Sequence, residues 1–156
     1  MEILKDKKHE DWVQAAAAVA KESTCLRSRC GTVIVKDGEV IGSGYNSPPQ
    51  DAEENRKCSI KETLPKTFKS DKTGCVHAEQ RAIMDALRNK SDLSSSWLYF
   101  IRIDDDGKLL KAGKPYCTIC SKLALDAGIS KFILWHEEGI TAYNTKEYND
   151  LSFDYE

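Results

Sequence analysis

Two short stretches, His77-Ala78-Glu79 and, after a long gap, Pro115-Tyr116-Cys117-Thr118-Ile119-Cys120, constrain the fold of this chain more than any other feature. One imidazole and two thiolates can hold a zinc ion through three bonds. The fourth tetrahedral position then stays open for water, whereas a site closed by a fourth protein ligand is structural. Both stretches begin segments of helical periodicity. The apolar stripe of Ile83, Met84 and Leu87 predicts a helix over Val76 to Arg88, and Cys117 to Ala127 reads as a second amphipathic helix closed by Gly128. The fold must therefore bring the starts of two helices together, and His77 and Glu79 fall in a first turn, where the helix dipole favours anionic ligands.

The remaining segments supply a sheet. Glu10 to Lys21 carries Trp12, Val13, Ala16, Ala17 and Ala20 at helical spacing. Gly31 to Lys36 and Val40 to Tyr45 flank Asp37-Gly38, a hairpin turn pair in which glycine accepts positive φ. Trp97 to Ile103 reads as a strand broken by Asp104-Asp105-Asp106-Gly107, and Lys131 to Trp135 as another. Asn46 to Cys75 shows no strong period, and a loop of about thirty residues inside a domain is usually functional or hides short structure of its own. The order helix, hairpin, helix, strand, helix, strand predicts an α/β sandwich with a mixed sheet, and the whole chain, 1–156, reads as one domain without repeats.

Charge narrows the partners. The chain has 23 Lys+Arg against 25 Asp+Glu, a net charge of −2, which argues against a protein that coats long nucleic acid but not against capture of one phosphate. No apolar run reaches the length of a membrane span and the first residues lack a signal-peptide core, so a cytoplasmic address is expected. In that compartment six cysteines read as metal ligands or reduced thiols rather than disulfides.

A zinc site of this kind lowers the pKa of water from 15.7 to roughly 7. A nearby carboxylate that is not itself a ligand can then take and deliver protons, and Glu79 is placed for that work. The competing reading is a closed structural site with Cys75, Cys58 or His136 as fourth ligand; a lone C-x-x-C pair would not decide between them. The pairing of H-A-E with P-C-x-x-C is the signature of zinc deaminases of nucleobases.

The chain also resembles the deoxycytidylate (dCMP) deaminases of the cytidine deaminase family beyond that signature. Ser23-Thr24-Cys25-Leu26-Arg27 through Gly31-Thr32-Val33-Ile34-Val35-Lys36-Asp37-Gly38 is similar to their S-T-C-x-R-x-x-V-G-A-V-I-V-x-D-G stretch. Gly44-Tyr45-Asn46-Ser47-Pro48-Pro49 resembles G-Y-N-G-x-P, and His77 to Ile83 resembles H-A-E-x-N-A-I. The resemblance covers about residues 10 to 135. It implies a three-layer helix–sheet–helix sandwich, one catalytic zinc per subunit, a homo-oligomer, and conversion of a free pyrimidine nucleotide, dCMP to dUMP plus ammonia. By position it implies His77, Cys117 and Cys120 as ligands and Glu79 as proton shuttle. The backbone N–H of Ala78 would face the base, Asn46 would contact sugar or base, and Arg27 would lie on the phosphate side. Another nucleoside, nucleotide or free base, a base within RNA or single-stranded DNA, and a silent zinc protein are the alternatives. A silent relative would be expected to lack Glu79.

Three departures bear on the substrate: Arg81 where the family has asparagine, Lys114 before Pro115 where many relatives carry an acid, and the longer segment Asp104 to Lys114. Cys25, Cys30, Cys58 and Cys75 admit a second, structural zinc beside the long loop, with buried apolar thiols as the alternative. His9 and His136 read as packing or surface residues.

Overall fold

The computed structural model describes residues 1–58, 63 and 74–155, so most of the second half of the long loop lies outside the described residues. Among the described residues, the sheet lies between one α-helix on one face and three on the other. Helix α1 (Lys8–Ala20) precedes strands β2 (Arg29–Lys36) and β3 (Glu39–Tyr45); α2 (Ala78–Arg88) leads to β4 (Trp97–Ile103) and the short β5 (Leu109–Leu110). Then come α3 (Thr118–Asp126), β6 (Lys131–His136), β7 (Gly139–Asn144) and α4 (Thr145–Phe153), while β1 (Glu2–Ile3) adds an outer edge. The sheet order is β1-β7-β6-β4-β2-β3, with β5 on β4; β4 and β6 run parallel and the other neighbours antiparallel, so the sheet is mixed as expected.

Strand alternation divides the core in two. Val33, Val35, Tyr99, Ile101, Ile103 and Ile133 face α1 and pack on Val13, Ala16, Ala17 and Ala20. Ile34, Leu98, Phe132 and Leu134 face the opposite way and pack against Ala82, Ile83 and Ala86 of α2, Ala124 of α3 and Tyr148 of α4. The hairpin turn falls on Asp37 (φ 51°) and Gly38 (φ 78°).

The seam between β3 and α2 fixes the helix that carries His77 and Glu79. A Cβ on Gly44 would stand 2.5 Å from both the Ala78 carbonyl oxygen and the Ala82 nitrogen, and one on Gly42 2.5 Å from the Ala82 oxygen. Glycine on the strand facing alanine on the helix lets backbone meet backbone, so the start of α2 sits directly on the sheet.

Beyond the predicted elements, the chain folds β7 and α4 from Gly139 to Phe153. The turn Glu137-Glu138 reverses the chain, and β7 pairs with β6 from Lys131↔Asn144 to His136↔Gly139. Predicted helix starts shift by one or two residues: His77 and Cys117 are the capping residues just before α2 and α3 rather than members of the first turn. Among the described residues no helix is long and apolar enough to cross a membrane.

Candidate active site

His77 and Cys117 each sit in extended backbone immediately before a helix, at φ −72°, ψ 150° and φ −82°, ψ 100°. Gln80 secures the first of these starts by accepting the His77 N–H at 2.9 Å. The two helix starts converge: Nδ1 of His77 lies 3.1 Å from Sγ of Cys120 and 3.3 Å from Sγ of Cys117. Both thiols are buried and the imidazole is half-buried. The three donor atoms all lie within 4.8 Å of one another, and no other such group occurs among the described residues. Two thiols and an imidazole nitrogen at that spacing suit the tetrahedral N/S preference of zinc, for which Zn–S and Zn–N bonds of about 2.3 and 2.0 Å are usual. His136, a candidate fourth ligand in the closed-site reading, is occupied elsewhere: Nε2 faces the Tyr143 hydroxyl at 2.8 Å and Nδ1 the Ala112 carbonyl at 3.2 Å.

The electrostatics of the cluster suit a cation. Hydrogen bonds from Cys120 and His77 pull the Cys117 thiol down to about 4, while Cys120 is pushed well above its usual value by its bond to Cys117 and by burial. Glu79 follows Ala78 in the first turn of α2 and is 6% exposed. Burial pushes its carboxyl up to about 7, against the opposing pull of His77. A carboxyl so placed can hold or release a proton near neutrality.

These groups lie on a cavity of about 510 Å³, within the usual range for small-molecule sites of about 300–1,000 Å³. Of the residues singled out in the sequence for metal, proton or substrate contact, Arg27, Asn46, His77, Ala78, Glu79 and Cys117 line it, and Cys120, the third donor, is fully buried. Arg27 is exposed at the rim. Asn46 is half-buried and already employed: Oδ1 accepts from the Ser23 hydroxyl (2.6 Å) and the Cys30 N–H (2.8 Å), and Nδ2 donates to the Ser28 carbonyl (2.7 Å). Cys25, Cys30, Cys58 and Cys75 also line the cavity, but they form no ligand group of metal-binding spacing among the described residues. Burial pushes the Cys30 thiol up to about 12, as befits a protonated apolar side chain.

Of the three departures, Lys114 lines the cavity and Arg81 does not. The Arg81 guanidinium donates to the Tyr45 carbonyl (2.7 Å), the Ser47 hydroxyl (2.6 Å) and the Pro48 carbonyl (3.3 Å), clasping the turn after β3 to α2. The cavity also uses residues that sequence reasoning passed over: Phe100 and Arg102 on β4, Tyr116, and Tyr148 and Tyr155 from the C-terminal segment. Arg102 left a signal, as the one charge in the apolar strand Trp97–Ile103; Tyr116 stood beside Cys117 in the cysteine motif without being given a role, and Tyr148 left none, because α4 was not anticipated.

The family described as "Cytidine and deoxycytidylate deaminase zinc-binding region" matches residues 6–136. A deoxycytidylate deaminase of Mycobacterium phage D29 is 32% identical over 130 residues, covering 80% of this chain and 91% of the relative. The Schizosaccharomyces pombe deoxycytidylate deaminase is 31% identical over 138 residues, which is 85% of this chain but only 37% of that longer protein. Among solved structures, the cyanophage S-TIM5 dCMP deaminase in complex with dCMP and dUMP superposes with a TM-score of 0.59 at 22% identity, over 83% of this chain and 81% of its own. A cytidine deaminase from Burkholderia pseudomallei gives 0.60 at 14% identity, over 90% and 94%. At these identities the two structures speak for the fold alone.

Proposed function

Since the chain belongs to the cytidine and deoxycytidylate deaminase zinc-binding family, we propose that it hydrolytically deaminates a free cytosine nucleotide, dCMP to dUMP and ammonia. The observation that carries the reading is the buried Glu79 carboxyl beside the His77, Cys117 and Cys120 donors on a ligand-sized cavity. Zinc held by those three residues would supply the Lewis acidity that makes hydroxide available at neutral pH.

The chain's own groups do the rest. Glu79 lies near the metal donors without belonging to their group, so it can take a proton from water, deliver one to the ring nitrogen of the base, and assist departure of ammonia. Its burial raises the carboxyl to about 7, so it can both accept and release a proton near neutral pH. The Ala78 N–H, at the start of α2, offers a backbone donor toward the base. Asn46 shapes the wall by tying the end of β3 to the Ser23–Cys30 turn, and its second Nδ2 hydrogen remains for the nucleotide.

The named deoxycytidylate deaminases among the relatives support the choice of dCMP. So does the cavity wall, where Lys57, Arg102 and Lys114 outnumber Glu79, the one carboxylate among the described lining residues. We assign the protein to the cytoplasm as a homo-oligomer; none of its six cysteines is in a disulfide, which suits a reducing compartment, and exposed Met84, Leu87, Leu123 and Leu125 on α2 and α3 offer apolar surface for self-association.

Ammonia release and product mass from zinc-loaded protein test the function, with cytosine, cytidine, deoxycytidine, CMP, dCMP, dCTP, adenine and guanine compounds and a short oligonucleotide as substrates. Preferential conversion of dCMP is the expected result. Turnover of the oligonucleotide alone, or of a purine alone, would overturn it.

A further inference from the structure

Arg102 occupies a position that a cation rarely takes without a partner. It lies on β4 between Ile101 and Ile103, which are 1% and 2% exposed and packed toward α1. Alternation therefore turns Arg102 to the opposite face, where it lines the cavity with Phe100. Its backbone is paired on both sides, to Cys30 of β2 and Leu110 of β5, so the stem is held by the sheet. An arginine on the inner face of a central strand loses hydration that an acid or several acceptors must replace.

Among the described residues that replacement is only partial. Nη2 donates to the Lys111 carbonyl at 3.0 Å, which fixes the plane of the guanidinium. No carboxylate among the described residues lies within ion-pair distance of it. Its neighbour across the strand is Cys30, a protonated thiol that offers no negative charge. Arg102 lines the cavity that also holds Glu79 and His77, and the Lys111 carbonyl occupies Nη2 alone. This fork, half-buried and anchored at one end, is pre-organised for a planar or multidentate oxyanion. Arg27, exposed at the rim, has neither that burial nor that anchoring strand.

We propose that Arg102 is the anchor for the phosphate of a nucleoside monophosphate, with Lys114 closing the anion subsite from the rim. Arg27 is then peripheral to recognition. This rests on the deaminase reading for the identity of the base, but the phosphate contact is measurable without turnover. The excess of cations around one cavity, on a chain of net charge −2, concentrates positive potential where the phosphate would lie.

The test is calorimetric binding of dUMP and of deoxyuridine to zinc-loaded wild type, Arg102→Met, Arg102→Lys and Arg27→Met, with thermal unfolding to confirm that each variant is folded. Wild type is expected to prefer dUMP by at least tenfold. Arg102→Met should weaken dUMP by roughly tenfold to a hundredfold while leaving deoxyuridine unchanged. Arg102→Lys, which keeps the charge but loses the fork, should fall between, and it serves as the readout if the methionine variant does not fold. Arg27→Met should leave both affinities within about twofold. Equal losses for dUMP and deoxyuridine, absence of a wild-type preference, or transfer of the loss to Arg27→Met would each overturn the assignment. In turnover, KM for dCMP should rise with kcat little changed. Wild-type protein that binds dUMP through Arg102 yet deaminates no cytosine compound would sink the proposed reaction and leave the phosphate anchor standing.

Discussion

Asn46 illustrates how a single residue can serve scaffold and site together. Its amide closes three hydrogen bonds, to Ser23, Ser28 and the Cys30 backbone, and still lines the cavity. Asn46→Ala would leave the Cys30 N–H and the Ser28 carbonyl short of partners, and the expected loss of stability in urea unfolding is about 2 kcal/mol. An unchanged midpoint would mean that solvent replaces those bonds and that the wall is not braced here. The sequence made Asn46, His77, Glu79, Cys117 and Cys120 legible because their chemistry depends on short local patterns. Arg102 and Tyr148 were harder to find, since their relevance comes from strand alternation and from an unanticipated C-terminal helix rather than from neighbours in the chain. Arg81 shows the converse. Its departure from the family pattern suggested a bearing on the substrate, but its hydrogen bonds run to Tyr45, Ser47 and Pro48.

At the scale of elements, the contact between β3 and α2 sets the geometry of the site. Gly42 and Gly44 meet Ala78, Ala82 and Ala86 with no room for a further methyl group. Gly44→Ala must push the start of α2 away from the sheet, and His77 and Glu79 move with it. The expected cost is about 1–3 kcal/mol, with turnover reduced by more than tenfold, since small misplacements of reacting groups are expensive. A variant with wild-type melting temperature and rate would show that the seam is looser than its geometry implies. Elements with strong periodicity or a defined turn pair were legible: Trp97–Ile103 has the predicted bounds, and the Asp37-Gly38 hairpin forms where expected. β7 and α4 escaped because Gly139–Asn144 is short and nearly all buried, and the helix that follows is only weakly amphipathic; both are held by tertiary contacts with β6, α3 and Phe132.

For the whole molecule, the sheet separates two tasks. The α1 face is a mainly apolar core of aliphatic, small and aromatic residues, while the face carrying α2, α3 and α4 holds the metal donors, the buried carboxyl and the cation-rich cavity. Long-range packing thus brings together groups from Arg27 to Tyr155 that no local pattern connects, and the parallel pairing of β4 with β6 places α3 beside α2. The central claim is that Glu79 moves the protons and takes no part in holding the zinc. Steady-state dCMP turnover and zinc content of Glu79→Gln, prepared beside wild type, test it most directly. The account predicts that kcat falls by about 10²–10⁴-fold while zinc content and melting temperature are retained. Turnover near the wild-type rate, or a variant that loses its zinc, would contradict it.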